Sequence, residues 1–269
     1  MICFPNAKIN LGLSIVGKRK DGMHNIETCI VPIPLFDILE IKQSHKFSIE
    51  QSGLQIPSGY EDNLITKVWK QLLLHDKKIK PVNVFLYKNI PTGSGLGGGS
   101  SDAAFFLKAI NSYNALGLND ADMEAIAAII GTDCPFFIKN IASIATGKGN
   151  VFSSISNPIS KIYVTILFPN IHISTVEAYS RIKLCNKSVI QDIVLGDISM
   201  WKNKLKNDFE ELIKNDFPEI SKIKNTLYYK GAIFASLTGS GSALYAISHK
   251  PLNIDNLKNI YSIWSVFIN

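Results

Sequence analysis

An α+β protein of two domains is what the sequence predicts, on three observations. Residues 8–51 alternate apolar and polar side chains with the period of two that marks strands, whereas 63–75 and 101–130 carry apolar residues at helical spacing. A strand-like stretch at 82–87 runs through a glycine-dense loop straight into a helix. At Asn157-Pro158 the pattern resets, and strands mixed with helices follow. A hinge there separates residues 1–157 from 158–269.

Taken in order, Lys8–Val16 and Asn25–Pro34 read as strands joined by the turn residues Gly17–Gly22, followed by strands Asp37–Gln43 and Phe47–Gln51. Asn63–His75 reads as a helix with Leu64, Val68, Trp69, Leu72 and Leu73 on its apolar side and Asp62 or Asn63 as cap. Strand Val82–Tyr87 leads to helix Ser101–Leu116. Helix Asp120–Ile130 follows, opened by Asn119-Asp120 and closed by Gly131 in the C′ place. Ile141–Thr146 and Val151–Ile155 are short strands. Beyond the hinge lie strand Lys161–Phe168, helix Ser174–Leu184, and helical stretches Ile190–Leu195, Asp208–Lys214 and Pro218–Lys230. Strand Ala232–Ser236, turn Thr238–Ser242, strand Ala243–Ser248, helix Ile254–Tyr261 and strand Ser262–Phe267 complete the chain.

Composition narrows the class. With 269 residues, 46% of them hydrophobic, the chain can bury a substantial core. Its apolar runs are too short to span a bilayer, and Met1–Pro5 lacks a basic then apolar start, so a cytoplasmic protein without a membrane partner is expected. The net charge of +6 is spread along the chain; its densest clusters, Lys18–Lys20 and Lys77–Lys80, read as solvated loops rather than a nucleic-acid surface. The four cysteines are scattered without a C-x-x-C pair and read as reduced thiols, and the five histidines show no metal-ligand spacing.

Four segments carry chemistry. In Pro91-Thr92-Gly93-Ser94-Gly95-Leu96-Gly97-Gly98-Gly99-Ser100-Ser101, five glycines fall within seven positions. Glycine reaches left-handed backbone angles and lets a ligand approach the main chain, and the following helix start offers unpaired N–H groups, so the pair forms an anion cradle. Gly93-x-Gly95-x-x-Gly98 formally matches a dinucleotide fingerprint, but that motif belongs at the first strand of a βαβ unit and needs an acidic residue about 20 positions on. Neither a Gly-Lys-Ser/Thr string nor protein-kinase marks are present. Asp133, in Gly131–Phe137, is either a turn residue or a carboxylate able to deprotonate a hydroxyl. Lys8 and Asn10 share one face of a strand, which is either its wet side or a functional pair. Leu237–Ser242 by itself is a glycine-rich hairpin turn.

Together, in this order, the segments Pro5–Leu11, Pro91–Ala104 and Leu237–Ser242 resemble the GHMP kinase family of small-molecule kinases, over most of the chain. The resemblance implies an N-terminal ATP-binding domain, a C-terminal ferredoxin-like domain and an active site between them. Asp21-Gly22-Met23-His24, Gly97–Gly99 with Ser100-Ser101, and Gly131–Phe137 point to the branch acting on a cytidine diphosphate-linked methylerythritol, whose 2-hydroxyl receives the γ-phosphoryl group of ATP. On that resemblance Asp133 is the base and Lys8 its cationic partner. Pro91–Ser101 wraps the triphosphate, and Lys88, Asn63 and Leu64 line the adenine pocket. Asn10, His24, Tyr179, Thr238, Gly239, Ser240 and Gly241 meet the substrate, with Met23 standing where an aromatic often stacks on the base. Mg2+ is expected with ATP, held by phosphate oxygens and a loop serine rather than by a dedicated carboxylate cluster. A monomer or weak homodimer is expected. The alternatives are a GHMP kinase for another small alcohol and a catalytically silent nucleotide-binding module.

Overall fold

Two long strands come first because the early alternation continues past both of its sequence-predicted ends. β1 (Ile2–Cys3) is followed by β2 (Asn6–Lys18) and β3 (His24–Phe36), and the latter two form a hairpin. Asp21 holds its turn, accepting from the Met23 N–H at 3.1 Å and the Arg19 guanidinium at 3.1 Å. β3 contains Pro32 and Pro34, which cannot donate to a ladder. Its partner β7 (Ser143–Thr146) pairs only with residues 28–30, so both prolines fall beyond that ladder.

The computed structural model describes residues 1–56, 62–75, 79–173 and 189–269. The helix expected at Ser174–Leu184, with Tyr179 and Cys185, lies outside the described residues, as do Lys77 and Lys78. The chain divides into two compact units, one of Met1–Ala7, Leu35–Thr92 and Gly97–Asn140, the other of Lys8–Pro34, Gly93–Leu96 and Ile141–Asn269.

In the first unit, β4 (Ile38–Gln43), β5 (Ser48–Gly53) and β6 (Val82–Lys88) join β1 in a sheet of order β1-β4-β6-β5. β5 and β6 run parallel, which requires a crossover, and α1 (Leu64–His75) supplies it. The Asn63 side chain caps α1, accepting from the Ile65 N–H at 2.9 Å. Its core face is Ile65, Val68, Trp69 and Leu72, one position round from the expected one, with Leu64 and Leu73 only half-buried. α1 packs against α2 (Gly98–Asn114) and α3 (Asp120–Ile130), and α2 against α4 (Phe136–Lys139). α2 begins three residues before the expected start, taking Gly98 and Gly99 into its first turn. Gly131 ends α3 with an extended backbone, φ −177°, rather than the left-handed C′ geometry expected.

In the second unit, β2 and β3 continue into β7 and β8 (Val151–Ser154), and β9 (Ile162–Phe168), β10 (Phe234–Leu237), β11 (Leu244–Ser248) and β12 (Ser262–Ile268) form an antiparallel sheet of order β10-β11-β9-β12. Short helices α5 (Ile190–Val194), α6 (Trp201–Lys204) and α7 (Asp208–Ile213) precede α8 (Pro218–Tyr229), which packs on β10 and β11. The core joins Leu13 and Ile15 of β2 to Phe209, Ile220, Ile223, Leu227, Leu237 and Leu244. The helix expected at Ile254–Tyr261 is one 3-10 turn, Asp255–Leu257. This layering of helices on antiparallel and mixed sheets is the expected α+β class. Among the described residues, no helix is long and apolar enough to cross a membrane.

Candidate phosphate-binding and catalytic site

The glycine-rich segment of the first unit runs into the N-terminus of α2. Its N-cap is Gly97, at φ 74°, and no side chain caps it; no acidic residue occupies its first turn. The neighbouring α3 is built in the opposite way. There Asn119 accepts from the Asp122 N–H at 3.0 Å and Asp122 accepts from the Asn119 N–H at 3.0 Å, a full capping box. A helix start that lacks such partners, with the positive end of its dipole, is suited to an external anion.

Beneath this start lies a buried charge cluster. The Lys88 ammonium donates to Asp37 Oδ2 and, at 2.7 Å, to Asp102 Oδ2; all three side chains are essentially buried. Asp37 Oδ1 accepts from the Asn89 and Ile90 N–H groups at 2.6 and 2.8 Å. Burial works to lower the Lys88 ammonium, but Asp102 and Asp37 outweigh it and hold its pKa above the ordinary lysine value. Burial pushes the Asp102 carboxyl up to about 7 against the attraction of Lys88. A Cβ on Gly98 would lie 3.2 Å from the Lys88 Nζ, and one on Gly99 would lie 3.9 Å from Leu64 Cδ1. Lys88 and Leu64, with Asn63 next in sequence, therefore gather at the first turn of α2.

The segment carrying Asp133 approaches the same turn. Burial pushes the pKa of the Cys134 thiol up to about 11, with the Ser100 hydroxyl of the first turn of α2 pulling it down in part. Lys108, two turns along α2, donates to the Phe137 and Ile138 carbonyls at 2.9 and 3.3 Å, which fixes α4 behind Asp133. Asp133 itself is half-buried.

In the second unit, three sequence-distant motifs converge. The Lys8 ammonium donates to Asn10 Oδ1 at 2.6 Å, so the pair shares one strand face, and both residues are 3% exposed. This is not the wet side of a sheet. The Asn10 side-chain amide donates to Thr28 Oγ1 at 3.1 Å, and the Asn10 N–H donates to Thr238 Oγ1 at 3.1 Å. The Thr238 hydroxyl donates to the Gly95 carbonyl at 3.2 Å. The glycine loop is tied in further by the Lys8 N–H to the Leu96 carbonyl, 2.9 Å, and the Ala243 N–H to the Ser94 carbonyl, 3.0 Å. Tyr245 donates to the Asn10 carbonyl at 2.9 Å, and the Asn207 amide donates to the Leu237 and Gly239 carbonyls at 3.0 and 2.9 Å. Gly95 stands at φ 83°, and a Cβ there would lie 2.1 Å from the Thr238 carbonyl oxygen. His24 opens β3 and Ser240 and Gly241 lie in the β10–β11 turn.

Sequence reasoning did not single out Asp37, Asp102, Thr28, Asn207 or Tyr245. Asp102 stood inside the quoted loop string, and Asp37 sat between apolar residues at a strand start, a place where a carboxylate invites a search for its cation. Among the described residues no three His, Cys, Asp or Glu side chains form a group that could hold a metal ion, and Cys3, Cys29 and Cys134 are free thiols.

These features coincide with matches to known proteins. The N-terminal domain of GHMP kinases matches residues 63–141, and the C-terminal domain of GHMP kinases matches residues 189–264. The chain belongs to the GHMP kinase family, and it is a kinase. It is 46% identical over 252 residues to a Bacteroides fragilis 4-diphosphocytidyl-2-C-methyl-D-erythritol kinase, covering 92% of each chain. With the same-named protein of Cytophaga hutchinsonii it shares 44% identity, covering 97% of this chain and 98% of the relative. A crystal structure of 4-(cytidine 5'-diphospho)-2C-methyl-D-erythritol kinase superposes with a TM-score of 0.86 at 26% identity, covering 99% of this chain and 98% of that one. The Methanococcus jannaschii mevalonate kinase shares the fold, with a TM-score of 0.73 at 16% identity over 100% of this chain and 98% of its own.

Two substitutions test the architecture. Lys88→Met leaves two buried carboxylates without a counter-charge and is expected to lower stability by about 3–5 kcal/mol in urea denaturation. Gly95→Ala is expected to cost more than the ~1–2 kcal/mol of a left-handed residue, because its methyl also meets the Thr238 carbonyl. Wild-type denaturation midpoints in either variant contradict the contacts described.

Proposed function

We propose that the chain transfers the γ-phosphoryl group of ATP to the 2-hydroxyl of 4-diphosphocytidyl-2-C-methyl-D-erythritol. The observation that carries this reading is the uncapped, glycine-lined start of α2, with Lys108 of the same helix bonded to the carbonyls of Phe137 and Ile138 that follow Asp133. A triphosphate fits that start. Gly93 and Gly97 have left-handed backbones that bring the main chain close to a ligand, and a Cβ on Gly93 would meet open space. The substrate is suggested by relatives of 43–46% identity that carry this enzyme's name over at least nine-tenths of the chain.

Phosphoryl transfer needs alignment and charge stabilisation more than covalent chemistry. In this reading Pro91–Ser101 wraps the triphosphate with backbone N–H groups. Asp133 takes the proton of the attacking hydroxyl, and the Lys8 ammonium offsets charge developing on that oxygen. Asn10 orients Lys8 through its carbonyl oxygen and offers its remaining amide N–H to a substrate hydroxyl. His24 reads the cytosine edge, and Thr238–Gly241 contacts the substrate. Phosphate oxygens of the nucleotide and a loop serine would hold Mg2+, which would supply charge neutralisation there.

ADP release measured with a panel of alcohols tests the assignment: the cytidine-containing substrate is expected to turn over, and equal turnover of mevalonate or homoserine overturns it. Asp133→Asn is expected to keep ATP affinity while kcat falls by about 10²–10⁴. Near-normal turnover in that variant removes Asp133 from the role of base.

A further inference from the structure

Resemblance alone assigns Lys88 to the adenine pocket, yet its side chain is 1% exposed and two of its donors are committed to carboxylates. Those carboxylates stand at the two ends of the glycine loop, Asp37 reaching its entry from the junction of β3 and β4. Asp37 holds the entry, where its other oxygen accepts from the Asn89 and Ile90 N–H groups directly after β6. Asp102 holds the exit, 14 residues beyond Lys88 and inside the second turn of α2. One ammonium thus closes the base of the whole loop, and the backbone of Gly98 passes over it closely enough that a Cβ would sit 3.2 Å from Nζ.

We propose that Lys88 is a positioning residue for the phosphate loop: it clamps the loop entry, through Asp37, to the first turns of α2, through Asp102, and does not read the nucleobase. The inference rests on the ATP reading given above. Its ammonium stays charged because the two carboxylates outweigh its burial. The ammonium offsets the two carboxylates below the helix start, so they take little from the helix dipole and the cradle keeps its N–H groups aligned for a phosphate chain before it arrives. Asp102 has one oxygen with no hydrogen-bond partner, as has the Ser101 hydroxyl, so the Lys88 ammonium is the hydrogen bond that holds this carboxylate in place.

The test uses Lys88→Met combined with Asp102→Asn. The pair removes one positive and one negative charge, so the cluster keeps its net charge at pH 8 while losing the clamp. Competitive inhibition is measured with inorganic tripolyphosphate, which has phosphates and no base, and with adenosine, which has a base and no phosphates. Loss of a charged hydrogen bond is expected to raise the KM for ATP and the Ki of tripolyphosphate together, by about tenfold or more, with the adenosine Ki unchanged. A weakened adenosine Ki beside an unchanged tripolyphosphate Ki overturns the proposal, as does no change in either. If the double variant does not fold, Asp102→Asn alone, an isosteric change, is expected to move ATP and tripolyphosphate by a common factor and leave adenosine alone; any other pattern again overturns it. A wild-type protein that neither binds nor uses ATP refutes the functional reading itself, a result distinct from these.

Discussion

A helix start without a side-chain cap is the constraint around which the first unit is built. The first turn of any helix carries N–H groups without partners, and proteins ordinarily satisfy them with a side chain, a choice worth about 0.5–2 kcal/mol. α3 does so with Asn119 and Asp122. α2 does not: its N-cap is glycine and its first turn holds glycine and serine. The stability forgone at that end is recovered elsewhere along α2, where Ala103, Ala104, Phe106, Leu107 and Ile110 are all buried to within 1%.

Each compact unit holds a buried polar cluster. Asp37, Lys88 and Asp102 sit under the start of α2, and Lys8, Asn10, Thr28 and Thr238 bind the other half of the glycine loop to β2, β3 and the β10–β11 turn. Buried polar groups are costly when unpaired and directional when paired, so such clusters specify one arrangement of backbone more sharply than apolar packing does. The Lys8–Asn10 bond shows the effect at atomic scale. Asn10 receives the Lys8 ammonium on one atom and donates to Thr28 from the other, which leaves little freedom in where that charge points.

Most elements were legible because their cues are local. The capping box of α3, the Asn63 cap of α1 and the strand alternation of β2, β4, β6, β9 and β12 each lie within a few residues of chain. The failures arise where distant partners decide. The α1 face turned by one position because Ile65, not Leu64, meets the core. Ile254–Tyr261 carries helical spacing but is too short and polar to hold more than one 3-10 turn. Gly98 and Gly99 entered α2 because residues packed around that start override glycine's poor intrinsic propensity.

The sequence by itself determined the element types, the glycine loop ahead of a helix, and the family to which the chain belongs, since these depend on side-chain order and on backbone preferences carried by each residue. Tertiary structure alone decided which polar residues are buried and with whom. Lys88 is indistinguishable in sequence from any lysine ending a strand. Its two carboxylate partners lie 51 and 14 residues away, and only folding brings those charges out of water together, where the two carboxylates keep the Lys88 ammonium charged in spite of its burial.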